Sequence, residues 1–171
     1  MHKDDFFLKL NWAFSGSGFD SIYDLEVPEN VYTSLIYNTN DLCLNKAQFG
    51  VLMEFLKGQD KIFIAQNDSK EVFEFNCPVR YEDYESLDLF SMSYLSSSRF
   101  DWVAVIDEEL ESGIGFLIAD SKTVKDFNAH YANELRDTND LISFYFRDSR
   151  RNQHSIRDMV KFLSLLHTPS E

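Results

Sequence analysis

The sequence predicts an α+β fold: a mainly antiparallel sheet of about five strands, packed by flanking helices. Two observations carry that expectation. Short β-favouring runs stand next to one another, joined by polar segments of turn length, as in hairpins. Runs with apolar residues at helical spacing lie before, between and after them, without the strict strand–helix alternation of a parallel sheet. At 171 residues the chain is expected to form one domain, residues 1–171, burying about two-thirds of the surface its unfolded form exposes.

Residues 3–14 place Phe6, Phe7, Leu10 and Phe14 on one helical face, with Asp4 and Asp5 in the first turn, where the helix dipole favours acids. The SGSG run at 15–18 ends that helix. Residues 21–27 read as a short strand or helix, and Pro28 punctuates the chain. Residues 29–38 are ambiguous, with Val31, Tyr32, Leu35 and Ile36 fitting a helix. Residues 45–57 form the clearest helix of the first half. Asn45 can cap it, Phe49, Leu52, Met53 and Leu56 line one face, and Gly58 stops it. Residues 61–66 and 71–77 flank NDSK as a hairpin, Ile62, Ile64, Phe73 and Phe75 giving the period-two alternation, and Pro78 closes it. Residues 81–95 have no firm period; a helix over 84–94 is expected.

The strongest β signal follows. Residues 100–106 (FDWVAVI) and 113–119 (GIGFLIA) read as an antiparallel pair joined by the acidic DEELES. The second run is apolar on both faces, which suggests a central strand. Asp120 or Ser121 then caps a helix to about residue 135, with Val124, Phe127, Tyr131 and Leu135 at helical spacing. A further strand is expected at 141–146, and a closing helix at 153–166 with Ile156, Val160, Leu163 and Leu166 facing inward.

Charge is unevenly distributed. Residues 68–120 hold thirteen Asp and Glu against three Lys and Arg, so this stretch carries −10 of the chain's net −13. Aromatic residues lie among the acids: Phe73, Phe75, Tyr81, Tyr84, Phe90, Tyr94, Phe100, Trp102 and Phe116. Such a surface suits a basic protein partner, whereas nucleic acid and anionic membrane would repel it. The basic residues Arg147, Arg150, Arg151, Arg157 and Lys161 are expected to pair with the acidic middle or to rim an interface. No apolar run approaches the roughly 20 residues that span a bilayer, and MHKDDFFLKLNWAF lacks the basic-then-apolar order of a secretory signal. A cytoplasmic protein is expected. Cys43 and Cys77, both with apolar neighbours, read as buried free thiols.

Motifs for chemistry are missing. His2, His130, His154 and His167 show no HxxxH or HxH pairing, and neither cysteine lies near a histidine in sequence. DEELES lacks the alternating ligands and mid-loop glycine of a calcium loop. There is no GxSxG elbow, no GxGxxG and no GxxxxGK[ST]. WVAVIDEELESGIGFLIAD is similar to the strand–turn–strand of the coenzyme A-dependent N-acetyltransferases. The segment that should then carry their pyrophosphate loop, SKTVKDFNAHYANEL, has no glycine. No catalytic residue, metal ligand or cofactor is therefore expected, and the chain reads as a non-enzyme. The alternatives are an acyltransferase or hydrolase with a site assembled from scattered residues, including His130 or His154, and an accessory protein with another partner.

Residues 99–131, RFDWVAVIDEELESGIGFLIADSKTVKDFNAHY, set a Trp-bearing strand, an acidic turn, a glycine-led strand and a capped helix in series. This resembles the immunity proteins of bacterial contact-dependent growth inhibition and related polymorphic toxin systems. The resemblance implies binding to a cognate basic toxin domain, often a nuclease, and occlusion of its active site by an acidic, aromatic-rich surface. The candidate contact residues are Glu82, Asp83, Tyr84, Glu85, Asp88, Asp107, Glu108, Glu109 and Glu111. Trp102, Phe116 and Phe127 are expected in the core, and Tyr81 and Tyr84, with carboxylates around them, at the surface.

Overall fold

The computed structural model describes residues 1–14, 25–37, 44–69, 71–87, 89, 92–107, 114–131, 160, 164 and 166–169. Their elements are α1 (Lys3–Lys9), β1 (Tyr32–Tyr37), α2 (Lys46–Phe55), β2 (Lys61–Gln66), β3 (Val72–Asn76), α3 (Tyr81–Glu85), β4 (Ser93–Ser97), β5 (Trp102–Asp107), β6 (Ile114–Ala119) and α4 (Ser121–Tyr131). The strands form one sheet in the order β1-β6-β5-β4-β2-β3, and every neighbouring pair is antiparallel. The α+β expectation holds, with six strands in place of about five.

Alternation along each strand sends side chains to two separate cores. On one face Tyr94, Val103, Val105, Phe116 and Ile118 pack with Phe6, Phe7, Leu10 and Phe14 from α1 and the turns after it. On the other, Ile62, Ile64, Leu95, Trp102, Ala104 and Leu117 pack with Phe49 and Leu52 of α2, Tyr84 of α3 and Val124 and Phe127 of α4. Both faces of the middle strands are thus covered, which is why β5 and β6 read as nearly continuous apolar runs. Trp102, Phe116 and Phe127 are buried, as expected.

Local chemistry sets the element ends. Asn45 Oδ1 accepts from the Gln48 amide at 2.9 Å while Gln48 Oε1 accepts from the Asn45 amide at 3.2 Å, a reciprocal capping box that starts α2. Gly58, at φ 95, takes the left-handed conformation after the last turn. Asp120 Oδ1 accepts from the Thr123 amide at 2.7 Å and starts α4. The hydroxyl of Ser34 on β1 donates to Asn128 Oδ1 at 2.5 Å, fastening α4 to the sheet.

Several elements differ from their sequence reading. Residues 29–38 hold β1, not a helix: Leu35 enters one core and Ile36 the other, and pairing with β6 from Tyr32↔Ala119 to Tyr37↔Ile114 decides the conformation. The helix expected over 84–94 is also corrected. α3 occupies only Tyr81–Glu85, and β4 begins at Ser93. β4 is masked in sequence by serines. Ser93, Ser96 and Ser97 are buried in the sheet interior, where the Ser96 hydroxyl donates to the Trp102 carbonyl at 2.5 Å and the Ser97 hydroxyl to Asp101 Oδ1 at 2.8 Å. The first helix stops at Lys9, although Phe6, Phe7, Leu10 and Phe14 are all buried as the periodicity required. The 15–18 turn, residues 21–24 and 132–135 and the strand expected at 141–146 lie outside the described residues, as does most of 153–166. So do the basic residues Arg147, Arg150, Arg151, Arg157 and Lys161. Residues 25–27 are neither strand nor helix. Val160 and Ser164 are helical, but Val160 is exposed and does not face inward as expected.

Candidate functional site

Helix α3 is a single turn, and its two aromatic residues decide how it lies. Tyr81 and Tyr84 are three apart, so they share one side of the helix. Tyr84 stacks on Phe49 of α2 with ring centroids 4.7 Å apart, and Tyr81 meets the same ring edge-on at 5.7 Å. Tyr84 is 1% exposed. The expectation that carboxylate neighbours would hold it at the surface is therefore corrected. Adjacent residues in a helix point about 100° apart, so acids beside Tyr84 in sequence face away from it in space. The buried ring is the anchor, and Glu82 and Glu85 are exposed with Asp83 half-buried on the outer side.

Two of the three acids are matched by local cations. Lys46 Nζ lies 3.1 Å from Glu82 Oε1. Arg80 grips Asp83 with both arms of its fork, Nε to Oδ2 at 2.9 Å and Nη2 to Oδ1 at 2.6 Å. Glu82 is held below its ordinary pKa by its own backbone amide first and by the Lys46 ammonium second. Asp83 is lowered chiefly by the hydrogen bond from Arg80, which is raised in turn. Glu85 makes no ion pair among the described residues. The surface is thus a small network of alternating charge in which Glu85 is the excess negative group. The Arg80–Asp83 pair was open to inspection at i,i+3 spacing, whereas Lys46 is 36 positions from Glu82 and no sequence pattern links them.

The other candidate residues are not brought to this helix by the described structure. Asp107 ends β5, next to Ile106, which pairs with Ser93. The chain leaves β3 toward α3 at the opposite end of the sheet, where Asn76 pairs with Lys61. Asp88, Glu108, Glu109 and Glu111 lie outside the described residues.

A groove of about 390 Å³ opens between the end of α2 and the start of the α3 connection, lined by Met53, Leu56, Lys57, Gly58, Cys77 and Pro78 among others. The Cys77–Pro78 peptide is cis. Burial, and secondarily the Asp60 charge, push the Cys77 thiol up, which keeps it protonated and weakly nucleophilic. Cys77 is half-buried rather than fully enclosed, and Cys43 lies outside the described residues. His130 does not line this groove; its ring Nδ1 contacts the Asp126 carbonyl of its own helix at 2.7 Å. His154 lies outside the described residues. Among the described residues no three His, Cys, Asp or Glu side chains converge as a metal site.

No family model matches the chain, and no curated protein or solved structure is significantly similar to it. No described helix is long and apolar enough to cross a membrane.

Proposed function

We propose that this chain is an immunity-type inhibitor that docks on a basic toxin domain, with a nuclease as the expected class, and occludes its active site from within the cytoplasm. The observation that carries the reading is the mounting of α3. Tyr84, stacked on Phe49, fixes the helix from below and leaves Glu82, Asp83 and Glu85 outward on a rigid base. Fixed carboxylates suit a site built for phosphates, because they offer anionic oxygens without an ordering cost on binding. The chain's net −13 adds long-range attraction for a basic domain. Lys46 and Arg80 hold the acids in place until cations of the partner compete for them.

The test is co-expression with the toxin encoded by the adjacent reading frame. Simultaneous Glu82→Lys, Asp83→Lys and Glu85→Lys should abolish protection, and raised salt should slow association of the wild type. Protection and association unchanged by either treatment would rule out the acidic-helix mechanism.

A further inference from the structure

The sheet has two edges, and they differ. At β1 the Thr33 amide donates to the His167 carbonyl at 2.8 Å, and Thr33 Oγ1 accepts from the His167 amide at 2.8 Å. His167 also stacks on Tyr32, so that edge is occupied. At the other edge lies β3. The Cys77 amide donates to the Asp60 carbonyl directly opposite at 2.9 Å. Backbone groups alternate along an antiparallel ladder, so Phe75 and Phe73 also turn theirs toward β2. Val72, Glu74 and Asn76 turn theirs outward. Among the described residues an isolated bridge between His2 and Glu71 covers only the start of this edge. Glu74 and Asn76 are exposed, and Phe73 and Phe75 are half-buried. The strand, VFEFN, has no proline or lysine, and its pairing with β2 runs without a bulge. Of the usual devices that keep an edge from pairing it has only its short length and the single charge of Glu74, which disfavours a second copy but not a basic strand.

We propose that the outer edge of β3 receives an extended strand of a basic partner, which continues the sheet through the outward amide and carbonyl groups of Glu74 and Asn76. This rests on the basic-partner reading above and adds a second contact to it. The side chains specify the visitor. Phe73 and Phe75 on one face call for apolar residues opposite them, and Glu74 on the other face calls for Lys or Arg. Lys61 already flanks Glu74 from β2, so an incoming cation completes a row of alternating charge across three strands. A second copy of this chain is the poorer occupant: each copy carries −13, and a dyad at Glu74 sets two carboxylates face to face.

The test uses the full chain and three synthetic eight-residue peptides: alternating valine and lysine, alternating valine and glutamate, and the lysine peptide N-methylated at every second residue. Backbone amide shifts and hydrogen exchange are followed at low salt. The valine–lysine peptide should shift the Val72–Asn76 amides and slow exchange at Glu74 and Asn76 about tenfold. The other two peptides should do neither. Glu74→Lys, which keeps the backbone donor, should weaken the valine–lysine peptide about two- to fivefold. Glu74→Pro, which removes the donor, should abolish binding, with circular dichroism confirming that each variant is folded. Unchanged β3 amides, equal binding of the N-methylated peptide, or protection at Glu74 that grows with protein concentration alone would overturn the proposal. Salt-sensitive toxin capture with silent β3 amides would remove this edge and leave the α3 reading standing. Peptide binding at β3 with no effect of α3 charge reversal on the toxin would support the edge and remove the α3 reading.

Discussion

Tyr84 and Phe49 lie face to face, with ring centroids 4.7 Å apart and planes inclined by 24°, and this contact joins α3 to α2 across a buried interface. The short helix has no side-chain cap at its N-terminus. A five-residue helix is not stable on its own, since helix nucleation is unfavourable and only a few hydrogen bonds follow. Packing through Tyr84 must therefore supply most of what holds α3 in place.

Tyr84→Ala should then cost about 3–5 kcal/mol of unfolding free energy, the range for losing a large buried ring. Phe49→Ala should cost a similar amount. The double variant should lose less than the sum, with a coupling of about 0.5–1.5 kcal/mol for the aromatic pair. Urea denaturation of the four proteins measures this. Strict additivity would mean that the two rings act independently.

How far these features can be read from sequence depends on where their cause lies. The Asn45 cap of α2 is local and, although its reciprocal bond with Gln48 was not read, was legible. So were the β2–β3 hairpin and the β5–β6 pair, whose alternation and turns are short-range. β1 and β4 were not. The apolar positions of β1 fit a helix as well as a strand, and only β6 beside it decides. β4 hides three buried serines, and the partners of Ser96 and Ser97, Trp102 and Asp101, come from the following turn and strand. At the candidate site the acids of α3 were visible. The inward turn of Tyr84 and the neutralising Lys46 were not, because both depend on α2 packing beside α3.

Gly115 shows how little room separates β5 from β6. A Cβ at this position would sit 2.1 Å from the Val105 carbonyl oxygen and 3.0 Å from the Ile106 Cα. Both obstacles are backbone in the sheet interior, and neither can rotate away. Gly115→Ala should therefore cost at least about 3 kcal/mol, the upper range for overpacking. Thermal unfolding would detect this, and a melting temperature within a degree of wild type would contradict the strand spacing.

Cys77 should be a slow thiol. Its pKa is raised by burial and by Asp60, so less thiolate is present at neutral pH than in a free cysteine. In a Cys43→Ser background, iodoacetamide should modify Cys77 more slowly than glutathione at pH 7. The rate should keep rising beyond the pH at which glutathione levels off. Reaction as fast as glutathione at pH 7 would be incompatible with the half-buried setting.

Glu82 and Asp83 should titrate below their ordinary range. Glu82 and Asp83 have depressed folded-state pKa values. Their contribution to stability is complete above the unfolded values of about 4 and is lost as the pH falls through the folded ones. In side-chain carboxyl NMR, Arg80→Gln should return the Asp83 midpoint upward and move Glu82 less. Lys46→Ala should restore only part of the Glu82 shift, because the backbone amide that lowers it most is still present. Midpoints unaffected by either substitution would show that the two ion pairs do not form in solution.

The same pairs lead to a less obvious expectation for binding. Lys46 and Arg80 offset two of the three acids, so the wild-type helix presents a weaker field than its composition suggests. Removing a local cation should therefore speed encounter with a basic partner, while reversing the unmatched acid should slow it. At low salt Lys46→Ala should raise the association rate constant about twofold, and Glu85→Lys should lower it by at least as much. Both differences should shrink at high ionic strength, where the screening length falls to about 3 Å at 1 M. Stopped-flow measurement against the purified toxin domain gives the answer. If Lys46→Ala slows association instead, Lys46 itself contacts the partner, and the docking surface must be redrawn around α2.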